Sequence, residues 1–254
     1  MFQLHFLRQI EKRFNFNLVH GKFRDLENFG IDARKPGIPS RILKPPRIIS
    51  QEYVKQIGFA EFEIQLEEMS NKKKHVFIEP GFLGQYFLET QYYLPSTIFP
   101  NLNLGEKEIR EKKQVAIHFR GTDFHSWDTN AIMGPKYYEK AIHEILGKYS
   151  SNHLDLKVFT DDPQHETVRT VAKIFGELVS ISKASAKQDF LEMCKSDIII
   201  HSPSTFSFWA SLLGERKENI YSKTWLDYKT MKHDKFWSDF RYKGFLNSKI
   251  NLEI

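Results

Sequence analysis

Three stretches of this chain gather side chains able to hold an anion, and each follows a short apolar run. In Val115-Ala116-Ile117-His118-Phe119-Arg120-Gly121-Thr122-Asp123-Phe124 the run breaks into His118, Arg120 and Asp123. Val158-Phe159 leads into Thr160-Asp161-Asp162-Pro163, and Ile198-Ile199-Ile200 leads into His201-Ser202-Pro203-Ser204-Thr205-Phe206. Arginine grips phosphate through two parallel hydrogen bonds, and Gly121 lets backbone approach a ligand closely. Hydroxyls and free N–H groups at a helix start add a phosphate site. With Arg120, they make a pyrophosphate clamp. Each element also has a plainer reading. Ser204 or Thr205 serves equally as a helix cap, Asp161-Asp162-Pro163 suits an ordinary capped helix start, and His118 suits a structural histidine. The adjacent carboxylates Asp161 and Asp162 raise a metal site, but no His or further acid stands at ligand spacing, so none is expected. Convergence at successive strand ends favours the ligand reading.

Such groups work together only if the elements before them are parallel strands, whose chemistry lies just past their C-terminal ends. From residue 114 onward the pattern supplies them. Strands are predicted at Val115–His118, Leu156–Thr160, Glu177–Ile181, Ile198–His201 and Asn219–Tyr221. Helices are predicted from about Lys136 to Leu146, His165 to Phe175, Gln188 to Lys195 and Thr205 to Leu213, followed by a polar, aromatic tail. This β/α alternation implies a doubly wound parallel sheet. Upstream, Phe2, Phe6, Ile10 and Phe14 predict an amphipathic helix over 1–14. A strand at Phe16–Val19 and an irregular segment over 34–50, with Pro36, Pro39, Pro45 and Pro46, come next. A strand at Ala60–Leu66, a basic loop at 71–75, a strand at Val76–Ile78, and a loop and helix over 81–100 complete this half. The boundary between the halves is placed near residue 105.

The chain has 254 residues, enough for one large domain or two compact halves. Its net charge of +5 and pI near 9.0 suit an anionic ligand or an acidic membrane face. The charges are mixed, with only Lys72-Lys73-Lys74 forming a run, so no nucleic-acid partner is expected. One cysteine, Cys194, rules out an intrachain disulfide framework and fits a reducing compartment. No apolar stretch approaches the ~20 residues that span a bilayer. Phosphate loops of the Gly-x-x-x-x-Gly-Lys-Ser/Thr type, nucleophile elbows and zinc-spaced Cys/His sets are absent from the sequence.

The segment His118-Phe119-Arg120-Gly121-Thr122-Asp123-Phe124 resembles the His-x-Arg-Arg-x-Asp-Tyr motif of the α-1,2-fucosyltransferases, glycosyltransferase family 11, related to the α-1,6- and protein O-fucosyltransferases. Ala186-Lys187-Gln188-Asp189-Phe190 and Ser204-Thr205-Phe206-Ser207-Phe208-Trp209-Ala210-Ser211-Leu212-Leu213-Gly214 resemble the family's Lys-Asp-Phe segment and its Gly-Thr-Phe-Gly-x-Trp-Ala-Ala-x-Leu block. Thr160-Asp161-Asp162 resembles the Ser/Thr-Asp-Asp that ends the family's next strand. The resemblance is strong over about 114–221 and fainter over 1–20 and 81–100.

The resemblance implies an α/β, GT-B-like fold of two Rossmann-like lobes, the C-terminal one a doubly wound parallel sheet. Residues 1–105 would form the acceptor-side lobe and 106–254 the GDP-sugar-binding lobe. It implies inverting transfer of fucose from GDP-fucose to a glycan hydroxyl, expected to be the 2-OH of a galactoside, without metal or other cofactor. Carried over, Arg120 would bind the β-phosphate, and His118 and Asp189 would contact guanine or its ribose. Ser202, Ser204, Thr205 and Phe206, with Asp161 and Asp162, would complete the donor site. Asp128 is the first candidate base and Asp123 the second, with loop locking an alternative role for Asp123. The expected partners are GDP-fucose and an oligosaccharide or lipid-linked acceptor, and the expected location is the cytoplasm, with the basic charge allowing peripheral contact at the inner membrane face.

Two departures stand out. The family's second Arg is Gly121 here, and the chain starts at Met1-Phe2-Gln3 where family members first have a strand and a glycine-rich turn. The N-terminal half is therefore expected to lack that strand and turn. Both departures motivate an alternative: a weakly active or inactive nucleotide-sugar-binding remnant.

Overall fold

The computed structural model describes residues 8, 10–11, 13–16, 47–72, 76–78, 104, 110–127, 129, 132–214, 218–222 and 250–252. The chain divides into two compact units, Met1–Asn103 and Leu104–Ile254. The expected Pro-rich stretch up to 46, the strand at Phe16–Val19 beyond Phe16, the elements over 81–100 and the tail over 223–249 lie outside the described residues.

In the first unit, residues 8, 10–11 and 13–14 are helical, as the four-residue spacing predicts. Strands β1 (Arg47–Ile49) and β2 (Val76–Ile78) pair in parallel, with Ile48 beside Phe77. Ser50 caps helix α1 (Gln51–Ile57), its hydroxyl accepting the Tyr53 N–H at 3.1 Å. Gly58, at φ +79, then turns the chain directly into α2 (Phe59–Asn71), a backbone state that a side chain would strain. The strand expected at Ala60–Leu66 is instead part of this helix. Phe62, Leu66 and Met69 are buried at helical spacing, whereas Ile64, which completes the apparent alternation, is 55% exposed.

The second unit is an α/β layer structure. Strands β3 (Lys113–Phe119), β4 (Leu154–Thr160), β5 (Val179–Ile181), β6 (Ile198–Ile200), β7 (Glu218–Ser222) and β8 (Ile250–Leu252) form one parallel sheet in the order β5-β4-β3-β6-β7-β8. Between them run α3 (Phe124–Trp127), α4 (Pro135–Lys148), α5 (Glu166–Phe175), α6 (Ala186–Lys195) and α7 (Thr205–Leu213). The chain steps outward from β3 to β5, then returns to lay β6 on the other side of β3. That reversal makes the β3/β6 boundary a topological switch point, the place where open α/β sheets as a class bind ligands beyond their strand ends.

The predicted alternation over 114–222 is present, with local differences. Glu177 and Leu178 belong to a single 3-10 turn (Gly176–Leu178), entered through Gly176 at φ +53, so β5 starts at Val179. His201 lies just past β6 rather than within it. Strand β8 has no counterpart among the sequence expectations and pairs Ile250 with Ile220.

Side chains alternate across β3. Val115, Ile117 and Phe119 enter a core with Tyr138, Ala141, Ile142, Ile145 and Val168 of α4 and α5. The even residues take the opposite face, where α6 and α7 pack against each other. His118 is stacked on Phe206 of α7 at 5.6 Å, and Phe206 meets Phe190 of α6 edge-on at 5.2 Å. The sheet therefore delivers His118 to the side on which α7 begins.

Candidate functional site

Past β3, the chain turns so that Arg120 leaves the sheet one-third exposed while His118, two residues earlier, is 3% exposed. Arg120 donates through Nε and Nη2 to the two carboxylate oxygens of Asp123 at 2.8 and 2.9 Å. Its Nε also lies 3.2 Å from Asp161 Oδ2. The Asp123 hydrogen bonds raise the Arg120 pKa further, and Arg120 in turn holds the Asp123 carboxyl below the usual carboxylate range. Both oxygens of Asp123 are thus committed to the guanidinium. Nη1 makes no hydrogen bond among the described residues, so this edge of the fork is the one open to an anion.

Asp161 ties the turn to the end of β4. It accepts the Gly121 N–H at 2.9 Å and the Thr122 hydroxyl. Asp162 stabilises its own corner: its N–H donates to Thr160 Oγ1 at 2.9 Å and its Oδ1 accepts the Gln164 N–H at 3.2 Å. Gly121 has a steric reason to be glycine. A Cβ there would lie 2.8 Å from Phe119 Cε1 and 3.3 Å from Asp162 Cβ. Phe119 is buried and packed against Tyr138 and His165 at ring distances of 6.0 and 4.6 Å, so its ring has little freedom to retreat.

His118 Nδ1 and Ser202 Oγ, both buried, are 2.7 Å apart, linking the ends of β3 and β6 across the switch point. The Tyr138 hydroxyl donates to the His118 carbonyl at 3.0 Å and fixes the strand end from the other face. Burial and, secondarily, the neighbouring Arg120 charge lower the His118 pKa to about 3, so its imidazole is neutral near pH 7.

Beyond β6, Ser204 caps α7, its hydroxyl accepting the Phe206 N–H at 3.2 Å. Thr205 is exposed at the first helical position and Phe206 half-buried at the second. The first-turn amides point outward there, as helix N-termini require. Asp189, in the first turn of α6, is buried, and burial raises its carboxyl pKa although the Ser182 hydroxyl donates to Oδ1 at 2.6 Å. Asp128 lies outside the described residues.

The structure thus brings His118, Arg120, Asp123, Asp161, Asp162, Ser202, Ser204, Thr205 and Phe206 to the C-terminal ends of three adjacent strands. Asp189 stands on the helix beside Phe206. Sequence reasoning missed Tyr138 and Ser182. Tyr138 reads as one more apolar position of α4, because its partner His118 lies 20 residues away across the strand-to-helix turn, and Ser182 reads as loop, although its partner Asp189 is only seven residues on.

A family model described as "Glycosyl transferase family 11" matches residues 95–243, more than half of the chain. The chain belongs to glycosyl transferase family 11. It is accordingly a glycosyltransferase by descent, and the match spans all three strand ends that carry the site. No curated protein and no solved structure matches the chain. Among the described residues, no helix is long and apolar enough to cross a membrane.

Proposed function

We propose that this family 11 member transfers fucose from GDP-fucose to a glycan hydroxyl, with the 2-OH of a galactoside as the acceptor group and inversion at the anomeric carbon. The observation that carries the reading is the junction at the switch point. His118 and Ser202 join the ends of β3 and β6, and two residues beyond each lie Arg120, with one open edge, and Ser204, the cap of α7. A diphosphate between them would meet one guanidinium and the helix amides, groups that favour charge developing on a departing phosphate. Its nucleoside would extend toward Phe206, His118 and Asp189.

In the reaction, the acceptor oxygen forms a bond to the anomeric carbon as the bond from that carbon to the β-phosphate oxygen breaks. GDP leaves with the electron pair, and the acceptor proton passes to a carboxylate base. Asp123 suits that step poorly. Its oxygens are engaged by Arg120 and its pKa is lowered, which weakens it as a base. In this reading Asp123 and Asp161 orient Arg120, and Asp128 is the proposed base. Arg120 and the α7 amides take the role that a divalent cation plays in other transferases. The first unit would supply acceptor contacts in a GT-B-like pair of lobes. The enzyme would act in the cytoplasm, with its basic surface allowing contact with the inner membrane face where lipid-linked acceptors lie.

The test is a donor and acceptor screen by mass spectrometry with GDP-fucose, GDP-mannose and other nucleotide sugars. Fucosylated galactosides from GDP-fucose support the reading, whereas transfer from a different donor overturns it. One observation favours a second reading, a nucleotide-sugar-binding remnant: Gly121 leaves no space for the second arginine of the motif. GDP binding with neither transfer nor GDP-fucose hydrolysis would identify it.

A further inference from the structure

The buried imidazole of His201 has no part in the reaction described above, yet both of its ring nitrogens meet polar partners. It is 1% exposed, at the first position after β6. Its Nε2 lies 2.9 Å from Asn219 Oδ1 on β7. A side-chain amide oxygen only accepts, so Nε2 carries the hydrogen and Nδ1 the lone pair. The Ser211 hydroxyl of α7 converges on the same Asn219 oxygen. Nδ1 therefore accepts from the Ser207 hydroxyl in the first turn of α7, with Nδ1 and Oγ 3.1 Å apart, and the Ser204 carbonyl at 3.3 Å competes for the same single hydrogen. Ser204 is the residue that caps the helix. The imidazole ring stacks on Tyr221 at 4.0 Å and 10°, and its backbone carbonyl accepts the Tyr137 hydroxyl at 2.8 Å. The side chain therefore ties the end of β6 to β7 and α7, and the backbone carbonyl adds α4.

We propose that His201 is a positioning residue: through Ser207 it fixes the first turn of α7, and so the direction of the amides that meet the donor diphosphate. The inference rests on the nucleotide reading of the site for its consequence, but its geometry stands apart from it. A packing role alone would require only a ring of this size on Tyr221. Both ring nitrogens instead meet oxygens on different elements, and the Nδ1 branch ends on Ser207 in the first turn of α7, three residues past the cap. Buried polar groups with both partners in place specify one arrangement of the elements they join.

Two substitutions share this link. His201→Phe keeps the ring and its stack on Tyr221 but removes both nitrogens, the Asn219 bond included, and Ser207→Ala removes only the hydroxyl that meets Nδ1. The full-length chain is followed by amide hydrogen exchange resolved to residues 204–208 and to β3, and by calorimetric titration with GDP. Loss of one such hydrogen bond corresponds to roughly 3- to 10-fold in an equilibrium. Each variant should therefore speed exchange of the Phe208 amide, which bonds the Ser204 carbonyl at 3.3 Å, and weaken GDP binding by about that factor, with β3 exchange unchanged. The double variant should be no worse than the weaker single, because both break one link. Equal acceleration across β3 and α7, or no change at 204–208, overturns the positioning role. So does an additive double variant. Absence of GDP binding in the wild-type chain would contradict the nucleotide reading, while the exchange pattern would still decide the role of His201.

Discussion

His118 should make the second unit sensitive to acid in a way that one substitution removes. The folded protein holds this imidazole neutral, with a pKa of about 3 against 6.5 for the free side chain. Between those values the unfolded chain binds the proton and the folded chain does not. Stability contributed by this group is therefore complete above about pH 6.5 and is lost progressively as pH falls toward 3, where the loss levels off. At pH 4.5, two decades below the unfolded pKa, the loss is about 2.7 kcal/mol at 1.36 kcal/mol per decade. His118→Phe keeps a ring against Phe206 but cannot take up a proton. It leaves the Ser202 hydroxyl without its imidazole partner, a cost of roughly 1–3 kcal/mol that does not vary with pH. Urea unfolding at pH 7 and pH 4.5, on both proteins, gives the comparison. Carboxylate titrations occur in both chains and cancel in the difference. The wild type should lose about 2–3 kcal/mol more than the variant between the two pH values. Equal losses would refute the reasoning, as would an NMR titration of the His118 ring with a midpoint near 6.5.

Three further outcomes follow from the geometry. Gly121→Ala places a Cβ 2.8 Å from the buried Phe119 ring, so it should destabilise by about 1–3 kcal/mol, read as a lower urea midpoint at unchanged slope. Ser204→Ala removes the α7 cap and should cost about 1 kcal/mol in the same assay. Asp123→Asn should lower kcat by about 10-fold and keep its pH profile, because a misaligned Arg120 stabilises the departing diphosphate less. A fall in kcat of about 10²- to 10⁴-fold, with loss of the acidic limb, would instead mark Asp123 as the base.

The second unit was legible because parallel strands and their helices differ in period. Lys113–Phe119 is an unbroken buried run after its first residue, and α5 and α6 show spaced apolar positions between clear caps. The same rule failed over 60–66. There Phe62, Ile64 and Leu66 alternate, but Met69 and the burial of Phe62 and Leu66 belong to a longer helical face. Strand order was not readable, because nothing local to Ile198–Ile200 says that it will pair with β3 rather than follow β5 outward. The site was legible at strand ends, where polar residues interrupt apolar runs. Its supports were not. The Ser202 partner of His118 lies 84 residues away, and Asn219 lies 18 beyond His201. The steric reason for Gly121 depends on a ring two residues back turning under it, which sequence spacing alone does not reveal.

The central claim is that Arg120 stabilises the departing diphosphate of a GDP-sugar. Its most direct test is turnover of GDP-fucose by the wild type and by Arg120→Ala, with GDP affinity measured on each. Loss of a preorganised charged donor at the leaving group should lower kcat by about 10²- to 10³-fold, with GDP binding weakened and the fold intact by circular dichroism. Equal turnover by the two proteins would contradict the account.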